Sequence, residues 1–283
     1  MTKPEPDHFP EFVPPGHYFS PLPNSNEVRE NEHKIWKYPR QFPAIDLNEE
    51  EQLKFFEIFA SFYEDMPYSS GIFSDLRYSP DSAALAISDA YSLSSMIRCL
   101  RPKRIIEVGS GHSSCVTLDM NEIFFKGSIE CTFVEPYPEL LLSLLKPGES
   151  GKINLVAKKA QDVDVSVFQA LEANDILFID STHISRIGSD VNYLVFEVLP
   201  VLNRGVYVQF HDIIYPFEYP KVWVYEGRAW NEAYLIRGFL QFNAAFKIVF
   251  FSSFLVHFFS PLFGAKMPLY LQNSGASIWL RRS

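Results

Sequence analysis

From Arg101 onward the chain alternates short β-branched or apolar runs with stretches of helical period, and this alternation limits the fold more than any other feature. The runs are RIIEVG (104–109), IECTFVE (129–135), INLVA (153–157), DILFID (175–180), GVYVQFH (205–211), FKIVFF (246–251) and ASIWLR (276–281). They predict an α/β fold, a doubly wound sheet of seven strands with helices on both faces. The Pro and Gly clusters at Lys146–Gly151 and Tyr215–Pro220 read as connections between elements, not as domain boundaries.

Ahead of this core, residues 1–45 are rich in proline and aromatic residues and predict an arm of extended or turn backbone, because proline fixes φ and has no amide hydrogen. Phe9, Phe12, Tyr18 and Phe19 predict that the arm lies across the body or on a neighbouring subunit, so a homo-oligomer built through the arm is one expectation. Residues 46–100 follow as N-terminal helices. Leu47, Leu53, Phe56, Phe59 and Phe62 fall near helical spacing, and a second helix is expected from Pro80–Asp81 to about Leu100. Tyr68–Tyr78 between them is a candidate lid. The core domain is assigned to residues 101–283.

Composition narrows the function. The net charge of −9 and the pI near 5.3 speak against a nucleic-acid partner, which needs clustered Lys and Arg, and favour a small molecule or a glycan. Cys99, Cys115 and Cys131 show no CxxC spacing, so a reducing, cytoplasmic location is expected and a zinc site is not. The most apolar stretch, Ile248–Phe263, is shorter than the ~20 residues a spanning helix needs. It reads as a strand followed by an apolar surface or lid segment.

Chemistry concentrates at the ends of the expected strands. Glu107, Gly109, Gly111 and Ser113 lie in EVGSGHSS, a glycine turn opening a helix, where the backbone can approach a ligand and free amides face it. Ser114 stands where a dinucleotide-binding GxGxxG would carry its third glycine, and Glu107 suits a cationic ligand better than a phosphate. Glu135, closing the second strand, can accept both hydroxyls of a ribose. Ala160–Gln161–Asp162 follows the third strand at the height of an adenine amino group. Asp180, His183 and Asp190 follow the fourth strand, and His211–Asp212 end the fifth; carboxyl ends of adjacent strands converge on one crevice, so Asp180, His211 and Asp212 can meet. Oxygen donors with an imidazole suit Mg²⁺, Mn²⁺ or Fe²⁺, and either His183 or His211 could serve instead as a general base. Asp190 is expected to cap a helix starting near Val191. Trp230, Tyr234 and Phe239 read as core, and Arg228 with Glu232 as a pair on a helix surface.

Taken together, EVGSGHSS, FVEPYP, DILFIDSTH and GVYVQFHDI resemble the motif order of class I S-adenosylmethionine-dependent methyltransferases, over roughly Arg101–Arg282. The match is close to a bacterial group near sugar- and antibiotic-tailoring O-methyltransferases. The resemblance implies a Rossmann-like methyltransferase sheet and S-adenosylmethionine as cofactor. It implies that Glu107, Gly109, Gly111 and Ser113 line the methionine end, Glu135 the ribose and Asp162 the adenine, with Asp180 also at the cofactor. It further implies a divalent ion on Asp180, His211 and Asp212. His183 stands where the catechol-type enzymes carry a catalytic lysine, and His211–Asp212 where they carry Asp-Asn. A hydroxyl of a small molecule or sugar is the expected acceptor. Two alternatives remain open at this level, an NAD-type oxidoreductase and a non-catalytic interaction module of the same fold.

Overall fold

The computed structural model describes residues 12–70, 75–82 and 84–283. Seven strands make one sheet, β1 (Arg104–Val108), β2 (Glu130–Val134), β3 (Asn154–Val156), β4 (Ile176–Ile179), β5 (Tyr207–His211), β6 (Phe246–Phe251) and β7 (Ser277–Arg282). Their order is β3-β2-β1-β4-β5-β7-β6. β7 runs antiparallel to both neighbours, while β1 to β5 pair in parallel. The seven expected runs and the observed strands agree to within two residues. β4 is buried along its whole length, as a central parallel strand covered on both faces must be, which is why it reads as an unbroken apolar run. Chain order reverses direction between β1 and β4, so the crevice for a ligand opens at their carboxyl ends.

The helix Glu49–Phe62 buries Phe55, Phe56 and Phe59, and Phe59 packs on Phe250 of β6 with ring centroids 4.7 Å apart. Each such ring removed from water contributes roughly 1.5–3 kcal/mol. The second helix begins at Ile87, not at Pro80, and runs to Leu100. Its expected first turns are drawn out instead: the amides of Arg77 and Tyr78 donate to Asp119, and the Tyr78 hydroxyl donates to the Leu85 carbonyl. The Arg77 side chain, 4% exposed, also pairs with Asp119, Glu122 and Glu149. Residues 71–74 of the expected lid lie outside the described residues, as does Phe9.

The arm is less extended than its prolines predict. Ser25–Ile35 is a helix, started by Asn24, whose side chain accepts the amides of Asn26 and Glu27. It lies against the body through Glu32, bonded to Lys221 and Tyr225, and through Trp36, whose indole donates to the Tyr219 carbonyl. Phe12, Tyr18 and Phe19 are exposed and stack mainly on one another. After β6 the chain forms a helix, Ser252–Lys266, broken at Phe259 two residues before Pro261. Among the described residues no helix is long and apolar enough to cross a membrane.

Candidate active site

The turn after β1 is built for close approach. Gly109 has φ +80, and a Cβ placed there would lie 2.0 Å from the Asp180 carbonyl oxygen, so only glycine fits between β1 and β4. Glu107, just before it, is fully buried. Ser113 and Ser114 donate to its Oε1 at 2.5 and 2.9 Å, while Oε2 has no partner. Burial pushes the Glu107 carboxyl up to about 8, although the two hydroxyls partly oppose this. Ser114 has thereby replaced a third glycine with a side chain that also receives the Gly111 amide at 3.0 Å.

Glu135 follows β2 and accepts the amides of Ser110 and Tyr137 at 3.1 and 2.8 Å, which aims its carboxylate into the crevice. A cavity of about 670 Å³ opens here, lined by Gly109, Glu135, Ala160, Gln161, Asp180 and Thr182 among others. That volume suits a nucleoside-sized ligand. Asp162 is exposed and is not among the lining residues. It falls on the outer side of the short turn Ala160–Asp162, and Gln161 takes the inner side, its Nε2 on the Gly188 carbonyl and its Oε1 buried without a partner.

Asp180 belongs to the cavity wall and also to a cluster of ionisable groups beyond it. His183 Nε2 lies 3.3 Å from Asp180 Oδ1 and 3.6 Å from Asp212 Oδ2. Asp180, His183 and Asp212 present donor atoms all within 4.8 Å of one another. Ligands of one first-row ion at ~2.1 Å stand roughly 3–4 Å apart, so this donor set fits a divalent cation. His183, and not His211, is the imidazole of this set. The His211 ring sits beside this set, with Nδ1 3.6 Å from both Asp180 and Asp212 and Nε2 3.8 Å from Asp89. Those are charge contacts, and both ring nitrogens are buried without a hydrogen bond. His183 and Asp212 both have left-handed backbone, φ 61 and 58. Strain of this kind in non-glycine residues persists where the surroundings impose it, often at functional sites.

The charges in the cluster shape one another. Burial disfavours the His183 cation, but hydrogen bonds to Asp180 and Glu232 outweigh it and push the imidazole up to about 10. His211 is likewise raised against its burial by Asp180 and Asp212. Asp180 is held well below the usual carboxylate range, burial being overcome by the two imidazoles. Asp212 and Glu232 are raised, chiefly by burial.

Three readings of the sequence change here. Glu232 is no surface partner of Arg228: it is 1% exposed and bonded to His183, whereas Arg228 pairs with Glu226 and lies over Trp223 and Trp230. Trp230 is half-buried and faces the His183 ring, centroids 4.4 Å apart, and Tyr234 is 46% exposed, not core. Ser189 caps the helix that begins at Asp190, and Asp190 accepts from the Thr182 amide and hydroxyl, bracing the turn after β4.

A family model described as a methyltransferase domain matches residues 106–213. An uncharacterized protein of Archaeoglobus fulgidus is 38% identical over 172 residues, which cover 59% of this chain and 76% of that one. Among solved structures, the S-adenosylhomocysteine-bound Podospora anserina methyltransferase PaMTH1 is 13% identical with a TM-score of 0.44, over 92% of this chain and 97% of that one. The Mg-SAM structure of cmcI-D160 is 16% identical with a TM-score of 0.42, over 88% of each chain.

Proposed function

Because the chain belongs to the class I S-adenosylmethionine-dependent methyltransferases, we propose that it moves the methyl group to a hydroxyl of a small molecule or sugar, with a divalent cation at Asp180, His183 and Asp212. In this reading the cavity takes the cofactor. Gly109, in the cavity wall, shapes the methionine end; Glu107, whose Oε2 has no partner, Gly111 and Ser113 flank that turn without lining the cavity themselves. Glu135 receives the ribose hydroxyls. The buried, unpartnered Oε1 of Gln161 takes the acceptor role toward adenine that was expected of Asp162.

The observation that carries the reading is the double membership of Asp180, in the cavity wall and in the charged cluster. An acceptor held at the cluster therefore lies beside the cavity, where a nearly linear approach to the methyl can be arranged. A divalent ion, when bound, supplies a template and lowers the pKa of a coordinated hydroxyl. Three carboxylates, Asp180, Asp212 and Glu232, face His183, an excess of negative charge that favours a cation among them.

Methyl transfer from labelled S-adenosylmethionine to a panel of hydroxylated aromatics and sugars tests this. Asp212→Ala is expected to lose turnover while keeping its affinity for S-adenosylhomocysteine, and chelation is expected to inhibit reversibly. Full activity after exhaustive chelation, with no metal found by elemental analysis, removes the cation and leaves the methyltransferase assignment standing.

A further inference from the structure

His183 is gripped from behind by the start of the helix Glu232–Leu240. Its Nδ1 lies 2.9 Å from Glu232 Oε2, and its carbonyl accepts the amides of Asn231 and Glu232 at 3.0 and 3.2 Å. Asn231 in turn bonds both backbone groups of Ser185, Oδ1 receiving the amide at 2.6 Å and Nδ2 donating to the carbonyl at 3.2 Å. The second oxygen of Glu232 accepts from Ser181 Oγ at 2.9 Å. A carboxylate 1% exposed is costly to bury unless its lone pairs are used, and here both oxygens are taken by the turn that carries His183. Together with the left-handed backbone at His183, this fixes the orientation of the ring. Nδ1 is committed to Glu232, and Nε2 is left facing Asp180 and Asp212.

We propose that Glu232 is a positioning residue that makes His183 a cation ligand, and that the resulting site of two carboxylates and one imidazole prefers a transition-metal divalent ion, such as Mn²⁺ or Fe²⁺, to Mg²⁺. A carboxylate behind a ligating histidine fixes the tautomer with its lone pair on the far nitrogen and raises the ring's donor strength. Imidazole donors favour first-row transition ions, whereas Mg²⁺ favours oxygen ligands and retains its water. The inference rests on the cation reading above and adds to it the residue that orients the third ligand and the class of ion.

The test is calorimetric titration of Mn²⁺ and Mg²⁺ into the purified full chain with S-adenosylhomocysteine present, with Mn²⁺ also followed by electron paramagnetic resonance. Wild type is expected to bind Mn²⁺ at least ~10-fold more tightly than Mg²⁺, and Glu232→Gln to weaken Mn²⁺ by about 10–100-fold with S-adenosylhomocysteine affinity retained. His183→Gln is expected to remove the preference for Mn²⁺. Should Glu232→Gln fail to fold, Ser181→Ala, which deletes only the hydroxyl bonded to Glu232, should weaken Mn²⁺ in the same direction by less. Unchanged Mn²⁺ affinity in folded Glu232→Gln and Ser181→Ala overturns the positioning role while leaving the cation reading intact, and equal affinities for the two ions in wild type overturn the preference. If neither ion binds the wild-type chain, the cation reading itself fails.

Discussion

Around Gly109 the site is made of backbone, and around His183 it is made of side chains. On the first side, the turn leaving β1 passes so close to Asp180 that no Cβ fits, and Glu135 is aimed by two main-chain amides, one from that turn and one two residues further on. On the second, His183 and Asp212 hold a left-handed backbone, and the restraint on His183 comes from a helix start 49 residues further along. A site built from main chain inherits its precision from the sheet. A site built from buried charges depends on each partner being present, because removing one leaves the others uncompensated.

The strongest way to break this contrast is Gly109→Ala. The added methyl meets a carbonyl oxygen in the sheet itself, at a φ that L residues avoid, so a loss on the order of 3–5 kcal/mol is expected, read as a lowered midpoint of thermal unfolding. A Gly109→Ala protein that unfolds like wild type and binds S-adenosylhomocysteine normally would show that this turn does not set the shape of the cavity.

Glu107 sharpens the contrast, since it is a buried ionisable group inside the backbone-built half. Its carboxyl ionises near 8 in the folded chain and near 4.5 when unfolded. Between those values the native state holds a proton that the unfolded state has released. Stability from this group is therefore full at the acid end and falls as pH rises through the window, by up to ~1.4 kcal/mol per pH unit. Glu107→Gln should flatten that slope between pH 5 and pH 8 in thermal melts. Parallel slopes for mutant and wild type would mean that Glu107 is ionised throughout.

The smallest effect is expected from Glu135→Ala, a weakening of S-adenosylhomocysteine by ~1–3 kcal/mol in calorimetry, the scale of lost charge-assisted hydrogen bonds. Cation affinity should not move. Equal cofactor affinity in mutant and wild type would place the ribose elsewhere, and a parallel loss of cation binding would erase the distinction between the two halves.

The same division decides what could be read from the sequence. Strands stand out as short apolar runs between helical stretches, so all seven were legible, and with them the convergence of Asp180, His211 and Asp212 at the carboxyl edge of the sheet. Local turns were less so. Whether Gln161 or Asp162 faces inward depends on the path of a three-residue turn that composition does not specify. The Ser25–Ile35 helix hid among prolines, although Asn24 followed three residues later by Glu27 was a usable start signal. Glu232 was misread because its spacing from Arg228 suits a helix surface, whereas the helix begins only at Glu232. A first-turn carboxylate next to Asn231, after an aromatic cluster, was the available hint. Its true partner, His183, lies beyond the reach of any local pattern.

Asp180 has one more consequence. Its carbonyl abuts the Gly109 turn and its carboxylate faces His183, so on the proposed reading the donor's cradle and the acceptor's anchor are separated by the bonds of one residue. Sliding of β4 against β1 is opposed by the same close approach that excludes a Cβ at Gly109. On that reading the gap across which the methyl must travel is set by the packing of two neighbouring strands and the bonds of one residue, like the jaws of a caliper riding on one bar, and not by the loops that surround it.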